Sequence, residues 1–133
     1  MDDTRARWSF GEATILRAAG FTHLALLVFG LAAPATIFAP WGVPFGDQAT
    51  FYRFGVVALG VLGLGVLRAA RRPPPEGALL VETAGLAMLA FFFVLLADAM
   101  AHRIASRAPV AGVVDLAFGA ALFRIGRRGT PRN

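Results

Sequence analysis

Between Arg53 and Arg68 every residue of this chain is apolar or glycine. A helix over FGVVALGVLGLGVL has no polar face to turn toward water, which a helix of a soluble bundle needs. Extended to Phe51–Ala70, such a helix is about 30 Å long, the thickness of a bilayer's hydrocarbon core. Three other stretches read the same way. Ala18–Gly46 carries no formal charge. Within it Thr14–Ala33 reads as a helix that ends near Pro34, because proline removes a donor and clashes with the preceding turn. Thr83–Ala97 lies between Glu82 and Asp98, and Ala108–Phe123 lies between Arg107 and Arg124, interrupted by Asp115. The chain is 57% hydrophobic and 16% charged, whereas soluble domains run near 45–50% and about 25%. The expected fold is all-α. One domain over residues 1–133 forms a transmembrane four-helix bundle running up-down-up-down, with helices at about 14–33, 51–70, 78–98 and 108–125.

Arginine placement predicts the orientation, since cytoplasmic loops collect positive charge. Arg5 and Arg7 precede the first helix. Arg68, Arg71 and Arg72 fall between the second and third, and Arg124, Arg127, Arg128 and Arg132 follow the fourth. Both termini are therefore expected in the cytoplasm. Leu24–Leu31 followed by Ala33-Pro34-Ala35 also resembles the core and cleavage site of a signal peptide. The long leading segment with Asp2, Asp3 and Glu12 favours a retained first helix. The link RRPPPEG reads as a short, stiff polyproline turn. Trp41, Phe45, Phe51 and Tyr52 flank Gly42, Pro44 and Gly46. They suit either an aromatic loop at the outer headgroup level or a lid over a cavity between the helices.

Charged groups at membrane depth pair with one another or line cavities. Counting 1.5 Å per residue from the helix ends puts Arg17 roughly 5 Å and Glu82 roughly 6 Å from the inner side, which predicts an inner-leaflet ion pair. From the outer side the same counting puts Arg53 roughly 3 Å and Asp115 roughly 9 Å deep, within reach of one arginine side chain. Asp98 ends the third helix at that outer level. His102 follows four residues later, on the same face if the helix continues, and Arg103 comes next. Arg53, Asp98, His102, Arg103 and Asp115 thus form an expected outer cluster, acting as a helix clamp or as the polar end of a ligand pocket. Asp115 is its deepest acid and too short to snorkel. His23 lies roughly 13 Å along the first helix, where a hydrogen bond to a neighbouring helix is its expected role. Gly60 and Gly63 in the second helix, with Gly55 and Gly65 nearby, and Gly112, Asp115 and Gly119 in the fourth mark close helix contacts.

The inventory excludes several chemistries. The chain has no cysteine, so it has no disulfide framework, thiol centre or Cys-based zinc site, and vitamin K epoxide reductase chemistry is out of reach. No Walker loop, GxSxG, HExxH or calcium-loop pattern occurs. Two scattered histidines give no metal-ligand spacing, and no cofactor or catalytic residue is expected. The positive charge flanks the spans, which reflects topology rather than a nucleic-acid groove. A small multidrug exporter would place a carboxylate in the middle of its first helix; here that helix has Arg17 and His23 and no carboxylate between Glu12 and its end.

Phe38-Ala39-Pro40, Arg53-Phe54-Gly55, His102-Arg103-Ile104-Ala105-Ser106 and Asp115 together resemble small bacterial four-helix membrane proteins of the DoxX-like kind. This chain has His102-Arg103 where that pattern has Gly-Arg, and Asp115 where it has Glu. The resemblance implies a multi-pass protein of the bacterial inner membrane, with a respiratory or other membrane-complex role. Three functions follow as expectations. The first is a non-enzymatic accessory subunit whose partners are the lipid bilayer and other membrane subunits or further copies of itself. The second is a carrier or binder of a small lipophilic molecule, a quinone or lipid, at the outer cluster. The third is a membrane enzyme moving a proton through Asp115 or His102.

Overall fold

A computed structural model describes residues 7–42 and 49–130. The described chain is helical: α1 Phe10–Ala32, α2 Pro34–Phe38, α3 Ala49–Ala69, α4 Pro74–Met100 and α5 Val113–Gly129. Single 3₁₀ stretches, Ala39–Trp41 and Ala108–Gly112, follow α2 and precede α5. Among the described residues four segments are long and apolar enough to cross a membrane: Phe10–Ala32, Tyr52–Ala69, Pro74–Met100 and Ala108–Gly129. Their outward faces carry large apolar side chains. Phe54 is 71% exposed, Leu79 70% and Phe93 55%. In water such faces would be a liability; against lipid they are the expected surface. The architecture is that of a small four-helix multi-pass membrane protein.

Local chemistry explains where the expected boundaries move. The first helix starts at Phe10 because Ser9 and Glu12 form a capping box: the Ser9 hydroxyl accepts from the Glu12 amide, and the Glu12 carboxylate accepts from the Ser9 amide at 3.0 Å. That reciprocal pair satisfies two donors the first turn leaves free. The third membrane-crossing helix, α4, starts at Pro74 instead of Ala78. Pro74 and Pro75 occupy its first turn, where a missing N–H costs nothing, so only the last part of the Ala70–Pro73 link stays extended. The prolines after Ala33 divide the chain as expected, yet the segment beyond them is not irregular: Pro34 opens the one-turn helix α2. Of the aromatic loop, Phe45, Pro44 and Gly46 lie outside the described residues, as does the Phe51 side chain, while Trp41 and Tyr52 are described.

Packing is densest between α4 and α5 and between α1 and α3, and α3 against α4 joins the two pairs. Glycines allow both close pairs. A Cβ on Gly20 of α1 would lie 2.9 Å from the Gly63 carbonyl of α3, and one on Gly60 would meet Leu27. Between α4 and α5, a Cβ on Gly85 would lie 2.8 Å from the Gly119 carbonyl. Gly60, Gly63, Gly112 and Gly119 thus make the contacts expected of them, and Gly20, Gly85 and Gly126 join them. Leu16, Leu59, Val66, Val81, Met88 and Leu122 fill the main core. A second cluster of Tyr52, Leu95, Ala99, Ile104 and Ala108 packs with Phe38 and Phe91. Trp8 donates its indole N–H to the Ala69 carbonyl at 3.0 Å, which also accepts from the Arg72 amide in the turn that ends α3.

Candidate functional site

The buried residues of α1 are Leu16, Ala19, Gly20, His23 and Gly30, a stripe at helical spacing that carries His23 into the bundle. On α5 the stripe is Asp115, Gly119, Leu122, Ile125 and Gly126. Where the stripes meet, Nε2 of His23 lies 2.8 Å from Oδ1 of Asp115. Their side chains are 1% and 4% exposed, so the pair is shut away from water. The other ring nitrogen, Nδ1, lies 2.7 Å from the Ala19 carbonyl oxygen. Phe118 sets its ring edge against the imidazole, with centroids 6.1 Å apart at 67°, an arrangement that holds the ring in place. Among the described residues no fully buried side-chain polar atom lacks a hydrogen-bond partner.

Asp115 also borders a cavity of about 250 Å³. Leu26, Ile37, Phe38, Trp41, Tyr52, Val56, Phe91 and Leu95 line it, with Val110, Ala111 and Val114. The walls are aromatic and aliphatic, and Asp115 is the charged residue in them. Val110 and Val114 are 51% and 45% exposed, so this wall faces the outside of the bundle at the level of the spans. The segment around Ala39–Trp41 packs on the Ala108–Gly112 turn and closes the cavity at that end. Of the lid aromatics expected from sequence, Trp41 and Tyr52 stand in the cavity wall.

The other expected site residues are placed differently. Arg53 is exposed and makes no ion pair with Asp115, whose partner is His23. The expected depth came from counting 1.5 Å per residue from Pro109. The five residues Ala108–Gly112 are instead 3₁₀, which rises about 2.0 Å per residue. Counted from the same Pro109, that moves Asp115 from about 9 to about 11 Å deep, nearer the level of His23, which is about 13 Å from the Ala32 end of α1. His102 does not continue the face of Asp98, because α4 ends at Met100. His102 has φ 56, the left-handed position after a helix. Its N–H donates to the Ala99 carbonyl, and that of Arg103 to the Asp98 carbonyl, which together form a Schellman stop. Glycine is the usual occupant there, and histidine is among the residues that tolerate it. Asp98 accepts from the Arg103 guanidinium at 3.3 Å, with Arg103 72% exposed. Arg103→Ala is expected to change stability by no more than about 1 kcal/mol in thermal unfolding, as exposed pairs do. Arg17 is exposed and makes no ion pair with Glu82. The Glu82 carboxylate instead accepts a long 3.4 Å bond from the Thr130 hydroxyl, because Gly126 brings the end of α5 against the Glu82 backbone.

His23 makes the hydrogen bond to a neighbouring helix expected of it, but sequence reasoning missed that its partner is Asp115. The signal was available: His23 falls on the small-residue stripe of α1, as Asp115 does on that of α5. No group of three or more metal-binding side chains gathers among the described residues. The fold and site define a class, the small four-helix membrane protein with a buried histidine–carboxylate pair beside an apolar cavity. Comparison with family models, curated proteins and solved structures returns no match for the chain, so the DoxX-like resemblance gains no support from it.

Proposed function

We propose that this protein binds a small lipophilic molecule, of the quinone or lipid class, in the cavity beside Asp115. The observation that carries this reading is an aromatic-walled space of about 250 Å³ with one carboxyl group in its wall. Ligand sites are mostly apolar, with few polar groups that fix orientation, and drug-sized ligands need about 300–1,000 Å³. This cavity suits a single ring or a short chain. Its half-exposed Val110 and Val114 wall favours entry from the lipid. The accessory-subunit reading asked for small residues facing outward on the second and fourth spans; the glycines there pack inside the bundle, and Ala58, Ala117 and Ala120 are exposed. The enzymatic reading asked for Asp98 and His102 in contact, and His102 is committed to the turn that ends α4.

In this reading the chain sits in a bacterial inner membrane with both termini cytoplasmic, up-down-up-down. Gly20 neighbours Leu67 while Gly30 neighbours Val56, which favours opposed directions for α1 and α3. Arg124, Arg127 and Arg128 on the last turns of α5 favour a cytoplasmic tail. The test is gentle detergent purification, organic extraction and mass spectrometry, with a short-chain quinone and an alkylphenol then titrated in by calorimetry. A lipophilic molecule is expected to co-purify or one of the probes to bind, and Ala111→Trp, which fills the cavity, is expected to abolish it. A ligand-free protein that binds neither probe would overturn the proposal.

A further inference from the structure

The geometry points to a specificity rule for this cavity: it selects lipophilic molecules that carry a hydrogen-bond donor, a phenol or another hydroxyl compound, over molecules of the same shape that only accept. The rule rests on the cavity reading above and adds the chemistry of the ligand's head. His23 sets it. Its Nδ1 is 2.7 Å from the Ala19 carbonyl oxygen. A carbonyl can only accept, so Nδ1 carries the hydrogen. Nε2 then faces Oδ1 of Asp115 at 2.8 Å, and one hydrogen must lie between them, because two opposed lone pairs at that distance repel. Two arrangements meet this requirement. An imidazolium donates to a carboxylate, or a carboxylic acid with its hydrogen on Oδ1 donates to a neutral ring. Both are neutral as a pair, as an apolar interior demands.

The two arrangements present the same face to the cavity. The second oxygen of Asp115, Oδ2, is a carboxylate oxygen in one and a carbonyl oxygen in the other, and it accepts in both. Asp115 bonds His23 through Oδ1 and lines the cavity. Oδ2 makes no bond to another described residue, and among the described residues no polar side-chain atom is left both fully enclosed and unpartnered, so Oδ2 retains some accessible surface, which we assign to the cavity that Asp115 borders. Wherever the shared hydrogen sits, the protein offers an acceptor and no donor at this point. A ligand hydroxyl completes it. An ether or ketone oxygen would set acceptor against acceptor in a site without water's dielectric. Among redox-related ring compounds, the hydroquinone form is the one that completes the contact with Oδ2.

The test compares a 4-alkylphenol with the matching 4-alkylanisole, whose methyl ether keeps the shape and removes the donor. Both are titrated into the full chain in detergent by calorimetry. The phenol is expected to bind at least about tenfold more tightly, the scale of a hydrogen bond to a charged or strongly polar acceptor. Asp115→Leu is expected to bring the two affinities together. Asp115→Asn is expected to keep the preference, because its amide N–H₂ can donate to Nε2 of His23 and leave its oxygen to the cavity. Equal binding of phenol and anisole to the unaltered protein overturns the donor rule and leaves the cavity reading standing. Failure of both probes to bind overturns the cavity reading. A reversed preference in Asp115→Asn overturns the assignment of the hydrogen to Nδ1.

Discussion

His23→Leu is expected to destabilise the protein by at least about 2 kcal/mol, above the ~1.7 kcal/mol reached by single interhelical hydrogen bonds in membranes and toward the ~3–5 kcal/mol of broken buried ion pairs in soluble proteins. The reason is what remains. Without the imidazole, Asp115 keeps a side chain only 4% exposed with neither the donor nor the proton-sharing partner that satisfied it. Asp115→Leu is expected to cost less, about 1–3 kcal/mol, because His23 as a neutral ring keeps its bond to Ala19 and loses only the one at Nε2. Asp115→Asn is expected to cost least, since an amide can donate to that nitrogen. The double replacement His23→Leu/Asp115→Leu is expected to recover most of the loss, as apolar substitution of a whole buried pair does. Reversible unfolding in mixed micelles measures all four. Costs that simply add in the double variant would show that the two side chains do not act as a pair.

Gly126→Ala is expected to destabilise by about 1–3 kcal/mol, the cost of overpacking a tight contact. The added Cβ would lie 2.5 Å from the Glu82 amide nitrogen and 2.7 Å from its Cα. Backbone atoms in the middle of α4 cannot rotate aside as a side chain can, so α4 and α5 must move apart. Gly85→Ala, with its Cβ 2.5 Å from the Phe123 amide nitrogen, is expected to behave alike. Two other helix glycines are the controls. Nothing lies within 4 Å of a Cβ at Gly11, and at Gly65 the neighbour is the tip of Leu80 at 3.3 Å. Alanine there is expected to be neutral or to stabilise by up to about 1 kcal/mol through helix propensity. If Gly126→Ala and Gly11→Ala unfold alike, glycine contacts do not set the α4–α5 distance. Because Asp115 rides on α5, a moved α5 is also expected to weaken probe binding in the cavity.

Much of the architecture is legible in one dimension. The run from Phe54 to Leu67 admits no water-facing side, and the four spans fall within a few residues of their expected places. Their errors are local. The Ser9–Glu12 box lengthens α1, and Pro74 and Pro75 enter α4 because a first turn has amides to spare. The site was harder to read. Asp115 stood out as the deepest acid, while the aromatics Trp41 and Tyr52 read equally as an interfacial loop or a lid, and the structure puts them in the cavity wall. The partner of Asp115 did not, since depth counted along a uniform helix carried Asp115 toward Arg53 and away from His23. The 3₁₀ stretch Ala108–Gly112 adds only about 2 Å to that depth; the partner was decided by which helix faces turn inward, His23 lying on the buried stripe of α1 and Arg53 on an exposed one.

Composition and hydrophobic patterning by themselves determined that this chain makes long apolar helices, because a charge-poor stretch of that length has few other ways to satisfy its backbone away from water. Which polar groups meet was decided by tertiary structure alone. A hydrogen bond between α1 and α5 joins residues 92 positions apart. It depends on the rotation and rise of each helix to within an ångström or two, and those are set by glycine contacts and helix ends rather than by hydrophobicity.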